Sequence, residues 1–250
     1  MTYRSKLVAL LAVATAGFVA IALDVTHHGI LERHDARIGL WVVVHTPHTL
    51  ERIANGITKL GGVWSLGSLT VLGTGLLLRR GNRADAVLLV GGVVLTSLAT
   101  NGLKIAFGRP RPSIGNLTPA SYTASFPSGH TSGSLVVFVL LAVFLATIHR
   151  RAFVASAVGL AALIGVTRIV VEAHWTTDVL AGYCLGIAAA AGVLLGREAL
   201  QARPCGDGQS GRGGEEERGL GDPPVAENRA GETACVDDVA EPGRDVRLGR

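Results

Sequence analysis

Six stretches of this chain, each 17 to 20 residues long and dominated by apolar side chains, leave few folds open to it. They run from Leu7 to Leu23, Gly61 to Leu78, Ala84 to Leu103, Thr131 to Ile148, Phe153 to Val171 and Val179 to Leu195. As helices rising ~1.5 Å per residue, they approach the ~30 Å thickness of a bilayer's hydrocarbon core. Lipid offers no partner to backbone N–H and C=O groups, and a helix satisfies them within one segment. The expected fold is therefore all-α, a six-transmembrane-helix bundle. Composition agrees, with 48% hydrophobic and only 17% charged residues. Glycines such as Gly91 and Gly92 would weaken a helix in water, but between helices in lipid they let backbones approach.

Basic residues orient the bundle. Arg4 and Lys6 precede the first span, Arg79, Arg80 and Arg83 follow the second, Arg150 and Arg151 follow the fourth, and Arg197 follows the sixth. All fall on one side, which the positive-inside rule makes cytoplasmic, together with both termini. The first span could be a signal peptide, but further spans follow and no small-x-small cleavage site leads into a soluble domain, so a retained span is expected. A multi-pass membrane protein follows, with longer segments on the outer face. The first of these, Asp24 to Lys59, mixes Ile30, Leu31, Ile38 and Leu40 with charges, as an interfacial helix anchored by Trp41 would. His27, His28, His34, His45 and His48 lie in it without a carboxylate cluster, so solvated histidines are expected and no metal site.

Two domains are expected: a membrane domain over residues 1–197 and a disordered cytoplasmic tail over 198–250. Residues up to Leu200 carry a net charge of +8 and the remainder −4. The tail is rich in Gly, Pro, Glu, Asp and Arg and lacks apolar periodicity, so it cannot bury enough surface to offset its ordering entropy. Cys184, Cys205 and Cys235 form neither metal-binding spacing nor a disulfide framework. The cations lie in short loops without aromatic-rich tracts, so nucleic acid is not an expected partner. Oligomeric state is not legible.

Three polar clusters interrupt this apolar pattern, and the charge-derived topology puts all of them on the outer face. Lys104 is followed by Arg111 and Pro112; then come Pro127, Ser128, Gly129 and His130; then Arg168, His174 and Asp178. Such groups are costly beside a bilayer, which calls for a chemical reason. A phosphoryl group spreads negative charge over three oxygens, and guanidinium forks with an ammonium match it. Pro110 and Pro112 stiffen the loop that carries Arg111. Ser128 is a candidate helix cap, with Gly129 and His130 at the first turn, where free N–H groups and the helix dipole favour an anion. His130 can give a proton to a leaving alkoxide, although the same residues also suit a plain capped helix start. His174 and Asp178, four apart, would share a helical face; the carboxylate would fix the imidazole tautomer and free the other nitrogen to attack phosphorus. Alone, that pair is a weak signal, and outside a membrane it would read as a surface contact.

Taken together, these residues resemble the three-part signature of the type-2 phosphatidic acid phosphatase and vanadium haloperoxidase superfamily, integral-membrane branch, in order and in internal spacing. The resemblance covers residues 1 to 197, including Ile57 to Gly62, which is similar to bacterial members, and it implies the plasma membrane of a bacterium. It implies a lipid phosphatase: Lys104, Arg111, Arg168, Ser128 and Gly129 bind phosphate, His174 becomes a phosphohistidine, Asp178 orients it, and His130 is the general acid. Water then releases phosphate with no metal or other cofactor. The family's usual Ser before the third-part arginine is Thr167 here, which keeps the hydroxyl. Arg109 and Glu172 match no signature position and are expected to be accessory or structural. The substrate would be a lipid phosphate or diphosphate, with polyprenyl diphosphate, phosphatidic acid and phosphatidylglycerol phosphate all open. The alternatives are a vanadium-dependent haloperoxidase and a non-enzymatic lipid-phosphate binding or transport protein.

Overall fold

The computed structural model describes residues 2–113 and 124–202. Eight α-helices and no strand occur among them: α1 Tyr3–Thr26, α2 Ile30–His45, α3 His48–Thr58, α4 Val63–Arg79, α5 Arg83–Phe107, α6 Gly129–Leu145, α7 Arg150–Val170 and α8 Thr176–Gln201. Each of the six apolar stretches is a helix, with ends that differ from expectation. By length and composition four can cross a membrane, namely α1, α5, α7 and α8. α4 qualifies only together with the helix before it, across a 41° bend, and α6 is a shorter apolar helix. α8 continues through Gln201, past the boundary placed at 197, and the tail beyond Ala202 lies outside the described residues.

α6, the shorter apolar helix, is surrounded. It packs against α4, α5, α7 and α8, and Leu135 to Leu140 with Val143 and Phe144 fill the centre of the bundle. The outer helices turn apolar faces outward: Val13 of α1, Val71 and Leu72 of α4, and Val87, Leu95 and Leu98 of α5 are all exposed. In water such surfaces would aggregate, whereas hydrocarbon solvates them as well as a protein core does. α1 lies along α8. At the end carrying the basic turns, Arg197 clasps Asp85 through Nε and Nη2 at 2.6 and 2.7 Å, and Arg80 donates to the Leu145 carbonyl at 3.0 Å.

Residues 24–59 differ from the single interfacial helix expected of them. They form two helices, α2 and α3, broken at Thr46–Pro47, because Pro47 lacks an N–H to continue α2 and serves instead as the N-cap of α3. A single 3-10 turn, Lys59–Gly61, joins α3 to α4. Gly61 fits there only because it lacks a Cβ, which would stand 2.6 Å from Ile164 Cγ2 and 2.8 Å from Ser134 Oγ. The segment therefore wedges into the bundle end beside α6 and α7.

Candidate active site

Chain stops and starts at one end of the bundle set the site. Gly108, with φ +56, ends α5 in the left-handed conformation, and its N–H donates to the Lys104 carbonyl at 3.0 Å. The chain then leaves as Arg109-Pro110-Arg111-Pro112. This loop is pinned at the Pro110 carbonyl, which accepts from Ser125 Oγ at 3.0 Å and Trp175 Nε1 at 2.9 Å. Lys104, on the last turn of α5, donates from Nζ to the Ala124 carbonyl at 2.7 Å. Arg111 Nη1 donates to the Ala173 carbonyl at 2.8 Å, which ties the first cluster to the third.

α7 ends in a Schellman turn. The Ala173 N–H donates to the Arg168 carbonyl and the Glu172 N–H to that of Ile169, with Glu172 left-handed at φ +52. This reversal carries His174, whose own N–H also reaches the Arg168 carbonyl, back beside Arg168. Arg168 Nη1 donates to Thr58 Oγ1 at 2.9 Å, while its buried Nε has no hydrogen-bond partner among the described residues.

His174 and Asp178 meet, but by a different device from the shared helical face expected. α8 starts at Thr176, so His174 precedes the helix and Asp178 is its third residue. Asp178 Oδ2 accepts the N–H of the N-cap, Trp175, at 2.9 Å, as an acid at this position does in many helix starts. The same oxygen stands 3.4 Å from His174 Nδ1, close enough for an ion pair but short of an aligned hydrogen bond. His174 is only 3% exposed, and burial pushes its imidazole down to about 4. Asp178 pulls the other way, and the Arg168 and Arg111 charges add to the lowering.

Ser128 also corrects the expectation. It occupies the N-cap of α6 but makes no side-chain cap bond; its hydroxyl accepts from Thr131 Oγ1 at 3.0 Å. Its N–H is taken by the Asp178 carbonyl at 3.0 Å, so that amide is not free for an anion. Ser128 is fully buried, behind the site rather than in it. A Cβ on Gly129 would meet only Thr100 Cγ2 at 3.4 Å, so protein packing does not demand glycine there.

Six of the eight expected residues line one cavity of about 350 Å³: Lys104, Arg111, Gly129, His130, Arg168 and His174. Asp178 and Ser128 support it from behind. Leu66, Val93 and Val137 of α4, α5 and α6 also line this cavity, an apolar lane interleaved with Thr96, Ser97, Thr100 and Asn101. Three fixed cations, two imidazoles and a helix N-terminus beside an apolar lane can take a phosphate attached to a hydrocarbon chain. Among the described residues no three His, Cys, Asp or Glu side chains gather as a metal site needs.

Sequence reasoning passes over Thr58, Asp35 and Thr177 and gives Arg109 only an accessory place. Thr58 holds Arg168, and Arg109 joins Asp35 and Thr177 in a buried network that meets Asp178. The one available signal for Asp35 was an acid facing the apolar side of its helix, which charged neighbours such as Glu32, Arg33 and Arg37 obscured.

Residues 85–201 match the model of the PAP2 superfamily, a segment that contains all three polar clusters. Phosphatidylglycerophosphatase B of Bacillus subtilis is 28% identical over 177 residues, covering 68% of this chain and 86% of the relative. Lipid A 1-phosphatase of Rhizobium etli is 39% identical over 103 residues, covering 38% of this chain and 42% of the relative. The crystal structure of a transmembrane PAP2-type phosphatidylglycerolphosphate phosphatase from Bacillus subtilis superposes with a TM-score of 0.70 at 26% identity, covering 78% of this chain and 98% of that one.

Proposed function

Because the chain belongs to the PAP2 superfamily through residues 85–201, we propose that it is a membrane phosphatase that removes the terminal phosphate of a lipid phosphate or diphosphate through a phosphohistidine. The observation that carries this is one cavity lined both by Lys104, Arg111, Arg168, His130 and His174 and by Leu66, Val93 and Val137. A soluble ester would have no use for the apolar lane. A lipid places its phosphate among the cations and its first methylenes against α4 and α5.

The chemistry follows from the placement. With Nδ1 of His174 turned to Asp178, Nε2 is the nitrogen left for the cavity. Its lone pair attacks phosphorus, the phosphorus–oxygen bond to the lipid breaks, and the leaving oxygen takes a proton from His130. Lys104, Arg111 and Arg168 hold the three equatorial oxygens as charge builds on them. Water then attacks the phosphohistidine, His130 accepts its proton, and inorganic phosphate leaves with His174 restored. Ser128 acts by holding the start of α6 against α8.

In the membrane, α1, α4, α5, α6, α7 and α8 are the six spans, with the basic turns cytoplasmic, α2 and α3 at the outer surface, and the site opening outward. Trp64, 90% exposed at the start of α4, suits the headgroup level there. A single cysteine in place of exposed His28, with the native cysteines replaced, should react with an impermeant maleimide added outside intact cells. Labelling only after lysis would overturn this orientation.

The activity is tested by phosphate release from purified phosphatidic acid, phosphatidylglycerol phosphate and polyprenyl diphosphate in detergent, beside a His174→Ala preparation. Release by the wild type alone is expected. Equal release by the variant removes His174 from catalysis, and vanadate-dependent halide oxidation without phosphatase activity would favour a haloperoxidase.

A further inference from the structure

Behind His174 and Asp178 lies a second carboxylate from a distant element. Asp35, on α2, is 2% exposed although it sits in a segment rich in solvent-facing charges. Its Oδ2 accepts from Arg109 Nη2 at 2.8 Å and from the Thr177 hydroxyl, and its Oδ1 accepts the Thr177 N–H at 3.0 Å. Arg109 in turn gives Nη1 to both Thr177 Oγ1 and Asp178 Oδ1 at 2.7 Å, and its guanidinium lies 5.6 Å from the centre of the Trp175 ring. The order is Asp35, Arg109, Asp178, His174, with Thr177 bracing the middle. Both acids and the arginine are almost out of solvent, so their charges are poorly screened.

The charge balance gives a second buried acid a task. Asp178 paired with Arg109 alone would be neutralised and would have little charge left to orient the His174 Nδ1–H or to offset the positive ring formed when Nε2 takes phosphorus. Glu32 Oε1 also stands 3.9 Å from Arg109 Nη2, but that carboxylate is partly exposed and screened by solvent. Asp35, buried on the other side of the guanidinium, restores one net negative charge to the buried group, and that charge reaches the cavity through Asp178 and His174. We infer that Asp35 is a positioning residue for the reaction, acting through Arg109 and Asp178 to set the charge and orientation that the nucleophile meets. This rests on the phosphohistidine reading above, and it gives α2 a task besides lying at the interface.

The test uses the full-length protein in detergent and the most active lipid phosphate of the panel. Wild-type release together with an inactive His174→Ala variant establishes the chemistry independently, so failure of that reading is seen first and separately. Asp35→Asn is expected to lower kcat about 10- to 100-fold, a range ordinary for groups that orient a reacting side chain, with KM within about threefold of wild type. Adding Arg109→Gln to Asp35→Asn should recover activity over the single variant, because it removes the cation that now over-neutralises Asp178. A purely structural role makes the double variant worse. Wild-type kcat in Asp35→Asn, or a double variant below the single one, overturns the inference. Should Asp35→Asn not fold, Thr177→Val loosens the same network without removing a charge. A kcat loss of about 3- to 10-fold at unchanged KM then supports the inference, and unchanged kcat overturns it.

Discussion

Gly182→Ala adds one methyl group at the contact that holds the two halves of the site together. Gly182 lies on α8 one turn after Asp178, against the start of α6; its missing Cβ would stand 2.8 Å from the Ser128 carbonyl oxygen and 2.9 Å from Thr131 Cβ. Carbon atoms prefer separations of ~3.5 to 4.0 Å, so α8 must retreat by roughly 0.5 to 1 Å. Overpacking of this kind costs about 1 to 3 kcal/mol, and the better helix propensity of alanine returns up to about 1 kcal/mol. Net stability should therefore fall by no more than ~3 kcal/mol. The rate is affected as well, since the Ser128 N–H to Asp178 carbonyl bond of 3.0 Å spans the same gap. A displacement of ~1 Å at a reacting group can cost ~10²-fold, so kcat should drop by about 10- to 100-fold. Phosphate release and thermal unfolding of the same detergent preparation would be measured beside Gly192→Ala, on the same helix but with no atom within 4 Å of its Cβ position. The control should keep both activity and melting temperature. A Gly182→Ala variant with kcat within twofold of wild type would refute the claim that this contact sets catalytic geometry.

Two further outcomes follow from the site. Arg168→Lys keeps the charge but loses the planar fork, with Nη1 held by Thr58 and Nε free of any partner among the described residues; kcat/KM should fall by roughly 10- to 100-fold, and the inhibition constant for vanadate should rise. A lysine variant within twofold of wild type would remove bidentate recognition from the mechanism. His174 is held to about 4 when folded, while an unfolded histidine titrates near ~6.5, so between those pH values only the unfolded chain takes up the proton. Stability is then full above the upper value and is lost as pH falls toward the lower one. The melting temperature of wild type relative to His174→Gln should decline from pH 7 to 4.5, and a flat or rising difference would contradict a buried neutral imidazole.

The helices were legible because hydrophobic partition is local: whether Ala84 to Leu103 prefers lipid depends on its own side chains. Lys104, Arg111, His130, Arg168 and His174 could likewise be picked out, since cations and imidazoles at the margins of apolar runs are too costly to keep unless a ligand or a reaction needs them, and they do line one cavity. The means by which they meet were not legible. Spacing alone suggested a shared helical face for His174 and Asp178, whereas a Schellman turn after α7 and the N-terminal turn of α8 bring them together. Ser128 had the right residue type for a cap, but the approach of α8 at Gly182 turned its amide to the Asp178 carbonyl.

By itself the sequence determined the all-helical class, the six apolar helices and the chemical inventory of the site. Tertiary structure alone decided that Asp35 meets Arg109 across 74 residues and that α2 and α3 wedge into the end of the bundle. The physical reason is that a buried charge is stable only beside its partners, and which charges become partners depends on how helices pack, which no single segment encodes.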